Sequence, residues 1–303
     1  DDSSYYDFSA VVTRLPSNKL NKWRSYSDPT AIGFNSNLVL QEARRGAVSS
    51  AGPVSSSLKH VYLIGGDGGR LMDAKVTIET SALDKFGGVQ GFFIQDYILP
   101  ARLTFGQVAR IGRFLYYTGG WDADLDCASD VVYRGEILDP LKTPDLFIEI
   151  TLLEEGFSNF GNSLGYGIYY YAVSAVFSCT PPDENNPCGE SLTGAVLSIY
   201  LSADFTKAVI SLVWDEIPDA IGYNIYRSPQ QGAGIDDLEL LDYVAGGQTL
   251  TYVDFGNPTQ PGVHPLPQGH TGQWHEIPGG WRMTTERWGH VSVSTPSHTV
   301  NNM

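Results

Sequence analysis

Val61-Tyr62-Leu63-Ile64-Gly65-Gly66-Asp67 is an apolar strand ending in a double glycine, and Phe114-Leu115-Tyr116-Tyr117-Thr118-Gly119-Gly120-Trp121-Asp122 repeats it. From Gly65 to Gly119 is 54 residues, a period that marks an architecture of stacked supersecondary units. The upstream residues recur as well. Arg45-Gly46-Ala47-Val48 precedes the first copy, and Arg102 followed by Phe105-Gly106-Gln107-Val108 precedes the second. Near the C-terminus, Arg287-Trp288-Gly289-His290-Val291-Ser292-Val293 presents the same start, with Trp23 upstream of Arg45 and Trp274 upstream of Arg287. Residues 74–78 and 131–138 read as the strands that follow each double glycine. Gly65, Gly66, Gly119 and Gly120 suit a sharp turn with close backbone approach. No Lys-Ser/Thr follows them and no helix is expected, so they do not form a phosphate loop.

The order tryptophan strand, Arg-x-Gly-His strand and apolar strand ending in Gly-Gly-x-Asp resembles the kelch repeat over roughly 1–140 and 270–303. The first copy departs from it, with an Ala/Ser-rich stretch where the family prefers Gly-His. The resemblance implies β-propeller blades, with Arg45, Arg102, Arg287 and the four glycines as structural residues. About two complete blades and parts of others are legible, whereas closed propellers typically need four or more. Either subunits complete each other's blades, or the chain is a piece of a longer one, or an open or decayed repeat packs on neighbours, since an exposed blade edge invites aggregation. The chain begins at Asp1 rather than Met, so a missing or removed N-terminal piece is one expectation.

The middle has a different grammar. Gly167-Ile168-Tyr169-Tyr170-Tyr171-Ala172-Val173-Ser174-Ala175-Val176-Phe177 is a strong strand. Shorter ones follow at 195–201, 209–215, 220–228, 240–244 and 250–254. Trp214, followed by Gly222-Tyr223-Asn224-Ile225-Tyr226-Arg227, resembles a fibronectin type III domain, in which Trp214 would fill the centre of a sandwich and Tyr223 would sit on a two-faced strand. The strand with Tyr169–Tyr171 resembles a late strand of that family yet precedes Trp214. A circularly permuted sandwich, or two incomplete ones, accounts for this, and permutation suits an insertion because it brings the ends of a module together. The expected organisation is kelch-like blades over 1–145, the sandwich over 146–258, and a return to a blade over 259–303. The fold class is all-β: kelch-like propeller blades interrupted by a fibronectin type III-like β-sandwich.

Composition agrees with a folded β protein: aromatics are 12% of 303 residues, and 33 Gly with 17 Pro are spread along the chain. A net charge of −15 repels phosphate backbones and argues against nucleic acid as a partner. No apolar run is long enough to span a membrane, and no signal peptide stands out. Cys179 and Cys188 bracket a Pro-rich loop as a candidate disulfide, which would imply an oxidising setting; two unpaired thiols are the alternative. Cys127 is the odd cysteine, and without a CxxC pair a structural zinc site is not expected.

Chemistry-bearing patterns are sparse. Asp122, Asp124 and Asp126, with Asp130 beyond, form an acidic turn that is a weak calcium candidate, because alternating aspartates can offer oxygen ligands. The glycine of an EF-hand is missing there, and Tyr133 stands where its bidentate Glu would be. His270 and His275 have no standard ligand spacing, and His290 occupies the Gly-His position of the repeat. Glu154-Glu155 and Asp236-Asp237 are adjacent, so in a strand they face opposite sides. No nucleophile elbow or zincin motif is present, and no cofactor is expected. The chain therefore reads as non-enzymatic. It resembles bacteriophage tail, neck or fibre structural proteins of the virion, whose partners would be other copies of itself or neighbouring virion proteins, with a host-surface glycan or protein as a further candidate. A secreted bacterial adhesion or carbohydrate-binding protein, extracellular in location, is the alternative, and a propeller enzyme is the second.

Overall fold

A computed structural model describes residues 13–14, 24–25, 40–54, 58–84, 88–152, 164–180, 186–202, 208–229, 233–277 and 281–291. Within them the chain is all-β, with strands β1 to β21 in several antiparallel sheets and two single 3-10 turns, Leu71–Asp73 and Ile235–Asp237. It divides into two compact units, Asp1–Ile137 with Gly269–Met303, and Leu138–Gln268. The inserted unit thus starts at Leu138 rather than 146 and runs to Gln268 rather than 258. Trp23, Val293 and the Glu154-Glu155 pair lie outside the described residues.

In the first unit, β1 (Thr13–Arg14) and β2 (Arg24–Ser25) form a two-stranded ribbon. A four-stranded meander follows: β3 (Val48–Pro53), β4 (Lys59–Ile64), β5 (Ile78–Leu83) and β6 (Phe93–Ile94), each paired with the next. A second meander joins β8 (Gln107–Ile111), β9 (Phe114–Thr118), β12 (Val132–Glu136) and β21 (His275–Glu276). Between them, β10 (Trp121–Asp122) pairs with both β7 (Leu103–Thr104) and β11 (Cys127–Ala128). The strand read at 74–78 begins only at Ile78, because Ala74 bridges to Asp67 and the Lys75 N–H donates to Gly66 O at 2.7 Å. Those residues receive the double-glycine turn and do not extend the sheet. Among the described residues the sheets close into neither a barrel nor a propeller.

The repeat is visible bond by bond. Gly65 N donates to Thr77 O at 3.2 Å and Gly119 N to Val131 O at 3.1 Å. Gly66 N reaches forward to Leu103 O, and Gly120 N to Arg287 O, both at 2.9 Å. Phe105 N donates to Gly46 O at 2.9 Å, and Gly289 N donates to Phe105 O at 2.7 Å. The last four bonds set the register: Arg44, Leu103 and Arg287 are equivalent, as are Gly46, Phe105 and Gly289. This differs from the sequence alignment on Arg45 and Arg102. The arginine of the Arg-x-Gly pattern in the first copy is Arg44, whose buried guanidinium pairs with the buried Glu79 at 2.6 Å and donates to Gly65 O at 2.8 Å.

The double glycines have a steric cause. Gly65, Gly66, Gly119 and Gly120 have φ of +61°, +91°, +59° and +100°. A Cβ on Gly66 would lie 2.8 Å from Arg45 O, and one on Gly120 2.8 Å from Thr104 O. Only glycine combines that conformation with that approach. Phe105 is the exception that identifies the rule: it holds φ +54° where its equivalents Gly46 and Gly289 hold +61° and +67°.

The two meanders share one core. Val48, Ile64 and Ile78, then Ser50, Tyr62 and Thr80, form rows on one face of the first sheet. Leu115, Tyr117 and Tyr133 of the second sheet join Tyr62, Ile64 and Ile78 in one buried cluster, and a Cβ on Gly52 would strike Ile137. The insertion falls between the third and fourth strands of the second sheet, β12 and β21. Ile137 and Thr271 form an antiparallel bridge, so the excursion leaves and returns at paired positions. The return point is fixed by buried polar contacts. Gln95 Oε1 accepts from Thr271 N at 3.2 Å and from its Oγ1 at 2.8 Å, and Trp274 Nε1 donates to that hydroxyl at 3.1 Å. His270 Nε2 accepts from Asp96 N at 2.8 Å, which leaves its Nδ1 to donate to Thr271 O at 2.7 Å.

The inserted unit is a sandwich. One sheet places β17 (Ala208–Trp214) between β13 (Leu146–Leu152) and β20 (Thr251–Asp254). The other centres on β14 (Gly167–Phe177), flanked by β18 (Gly222–Arg227) with β19 (Glu239–Ala245) beyond it, and by β15 (Gly189–Glu190) and β16 (Leu197–Leu201). Alternate residues of β14, from Tyr169 to Phe177, face Ile210, Leu212 and Trp214 of the first sheet in one cluster that also holds Tyr223 and Ile225. One cluster draws on both sheets, so this is one sandwich and not two halves. Tyr223 ties its turns, accepting from Ile217 N at 3.0 Å and donating to Gly247 O at 2.9 Å. Cys179 and Cys188 are joined in a disulfide, with Cα atoms 4.8 Å apart. Across the core, Asp254 of one sheet accepts from Tyr171 and Arg227 of the other at 2.8 and 2.6 Å.

Candidate interaction surface

The second meander has two unlike faces. Leu115 and Tyr117 are fully buried against the first meander. The opposite face carries the row Ala109, Tyr116, Arg134 and His275 and the row Ile111, Phe114 and Glu136. There Ile111 is 58% exposed, and Phe114 and Tyr116 are half-buried. The Arg134 guanidinium lies 4.8 Å from the Phe114 ring centroid, and Thr118 Oγ1 contacts His290 Nε2 at 3.1 Å. Burial pushes His275 and His290 below the usual imidazole range, which disfavours their charged forms. Strict alternation along β9 puts apolar side chains on both faces, the pattern of a strand meant to be covered on both sides.

A second feature lies at the seam where the third copy begins. Arg287 and Gly289 dock on Gly120 and Phe105 through backbone bonds, which brings Trp288 beside Phe105 and Trp121. The Trp288 ring centroid is 5.9 Å from Phe105 and 5.8 Å from Trp121, edge to face in both cases. Trp288 is 52% exposed. Arg45 pairs with Asp67 at 2.9 Å and places its guanidinium 5.6 Å from the Phe105 centroid. The Arg287 side chain points outward; its backbone does the structural work.

The acidic turn sits beside this seam. Asp122 is buried, and its Oδ1 accepts from Asp124 N at 2.8 Å and Leu125 N at 3.2 Å. Asp124 pairs with the half-buried Arg102 at 2.7 Å, and hydrogen bonds from that arginine hold its carboxyl below the usual range. Asp126 stands exposed at φ +54°. The three carboxylates therefore serve a turn, an ion pair and solvent, and do not converge as calcium ligands would. Among the described residues no three His, Cys, Asp or Glu side chains are grouped so as to hold a metal ion.

Cys127, facing Asp122 across the β10–β11 pair, senses this field. Partial burial, then Glu286, Asp122, Asp126 and Asp130, raise its thiol above the usual range. Less thiolate means slower alkylation. At pH 8, iodoacetamide is expected to modify Cys127 several-fold more slowly in the folded chain than in urea. Intact mass spectrometry reads the rate, and equal rates would show that the carboxylates do not reach the sulfur.

Two clefts carry no comparable chemistry. One of about 490 Å³ in the inserted unit is lined by Leu192, Val196, Leu238, His264 and Leu266 among others, with His264 Nδ1 already bonded to Leu238 O at 2.7 Å. Another of about 380 Å³ in the first unit lies along Asp96 to Pro100 beside Trp274. The sequence reading marks Trp288 and Trp281 as aromatics that could form an interface, but it missed Arg44, the open face at Ile111 and Phe114, and the stacking of Trp288 on Phe105 and Trp121. Arg44-Arg45-Gly46 against Arg287-Trp288-Gly289 was the available signal, since both place Arg two residues before Gly. No protein-family model matches the chain, and no curated protein matches it.

Proposed function

We propose that the chain is a non-enzymatic structural protein of a virion, of the bacteriophage tail, neck or fibre kind, that works by oligomeric assembly. The observation that carries this reading is the second meander, whose central strand β9 is apolar on both faces, with Ile111 exposed on the face away from the shared core. A covered face on one side and a half-open one on the other is what a subunit in a stacked array would present. The bonds from Gly120 and Phe105 to the third copy support the same idea, since they repeat the step that joins the first two sheets. On this reading the meanders are kelch-like blades. The sandwich is a permuted fibronectin type III-like module, supported by the Trp214 strand pairing with β20 and the Tyr223 strand pairing with β14.

The test is the mass of the native assembly, read by mass photometry of the particle and of the purified chain. Discrete oligomers are expected. Ile111→Glu, at a site exposed enough to leave the fold intact, should weaken self-association at least about tenfold, as burying an unpaired charge in an apolar contact does. A purified chain that stays monomeric at high concentration and forms no larger assembly would end the proposal.

A second reading, a secreted adhesive or carbohydrate-binding protein, draws on the Cys179–Cys188 disulfide and on the exposed Trp281 and Trp288. Saturable binding to a glycan, lost in a tryptophan variant, would favour it.

A further inference from the structure

The seam around Trp288 combines two properties that rarely meet by packing alone. Its rings form a connected aromatic surface, Phe105 to Trp288 to Trp121, with half of Trp288 open to solvent. Around it carboxylates outnumber guanidinium groups. Asp124 pairs with Arg102, Asp130 and Glu276 share the single charge of Arg282, and Arg287 stands exposed next to Trp288. Among the described residues Asp122 has backbone N–H partners alone, and Asp126 and Glu286 form no ion pair. Aromatic faces carry negative potential and attract cations, the more so beside uncompensated carboxylates. The chain already uses this chemistry on itself: the Arg45 guanidinium sits over Phe105, at one end of the ring series.

We propose that the Phe105–Trp121–Trp288 surface, with Asp126 and Glu286 beside it, is a docking site for an arginine- or lysine-bearing segment of a different polypeptide. The cationic head would lie on the open face of Trp288, as Arg45 lies on Phe105, and the carboxylates would steer it there. A second copy of this chain is a poor source of such a segment. The chain has 19 basic against 34 acidic residues, so a second copy brings more like charge than opposite charge to this surface. The site shares no residue with the Ile111 and Phe114 face, so either can fail while the other stands.

The probe is a capped glycine-serine peptide carrying arginines, titrated into the full chain against its citrulline counterpart, with tryptophan fluorescence and calorimetry as readouts. Saturable binding of the arginine peptide, weakened by salt and absent for citrulline, is expected. Trp288→Ala should weaken it about two- to fivefold, the scale of one exposed cation–π contact. Asp126→Asn with Glu286→Gln changes only exposed charges, leaves folding alone, and should weaken binding about threefold with a shallower salt dependence. The proposal is overturned by equal binding of citrulline, by affinity unchanged in both variants, or by tetramethylammonium binding as tightly as the peptide. The last result would make this a small-cation site. Oligomer mass, measured separately, tells this failure from that of the assembly reading.

Discussion

Asp254→Ala is expected to destabilise the inserted sandwich by about 3–5 kcal/mol, the cost of stripping one partner from a buried ion pair. The Asp254 carboxylate is fully buried and the Arg227 side chain is 3% exposed, with 2.6 Å between them. Tyr171 adds its hydroxyl at 2.8 Å, and Gly256 N donates to the second oxygen at 2.8 Å. Arg227 is held further by Asn257 O at 2.7 Å. Removing the carboxylate leaves a guanidinium in the core with only the carbonyls of Asn257 and Ser228 in place of its counter-ion. Urea unfolding followed by circular dichroism measures the loss. A change under about 1 kcal/mol would mean that water reaches Arg227. Pairing Asp254→Leu with Arg227→Met should recover most of the loss, since an apolar pair of similar volume needs no desolvation.

The same network sets an alkaline limit. Burial, then the Asp254 carboxylate, raises the Tyr171 hydroxyl well above its ordinary value of 10.0. A raised folded-state pKa stabilises fully below the unfolded value and is lost as pH climbs past it. Tyr252, pushed up to about 12 by burial and by Asp242, acts in the same direction. The alkaline fall should begin above pH 10 and be shallower once Asp254 is gone.

These residues show why part of the molecule was legible and part was not. The double glycines could be read because their cause is local: a positive φ and a carbonyl within 3 Å leave one residue type. Trp214 and Tyr223 could be read because a large ring in an alternating strand has few uses other than a core. Asp254 and Arg227 could not. Each ends a strand as a polar residue, which reads as surface, and only the pairing of separate sheets makes them partners. The true insertion point was hidden for a similar reason, since β21 has two residues and Trp274 as its sole signature. Phe105 misled the alignment because tertiary contacts with Trp288 and Arg45 accompany a conformation its side chain disfavours. The half-open face needed the register as well: Ile111, Phe114 and Tyr116 look like any apolar strand residues until Leu115 and Tyr117 are seen to fill the opposite side.

Trp214→Ala should cost the sandwich about 3–5 kcal/mol, as large aromatic truncations in closed cores do. The indole is 1% exposed and lies 5.3 Å from the Tyr223 ring centroid, among residues drawn from both sheets. Its Nε1 is buried without a hydrogen-bond partner among the described residues, so Trp214→Phe should cost far less. The smaller ring leaves a void but removes an unsatisfied donor, which itself costs about 1–3 kcal/mol. Calorimetry separates the units: the cluster around Trp214 lies wholly within Leu138–Gln268, and the cluster around Tyr62 and Tyr117 wholly outside it. A loss confined to one transition is therefore expected, with the meander transition unmoved. If both transitions fall together, the two cores are energetically coupled, and the insert has become part of what holds the meanders in place. Assembly variants such as Ile111→Glu would then have to be judged on sandwich stability as well as on oligomer mass.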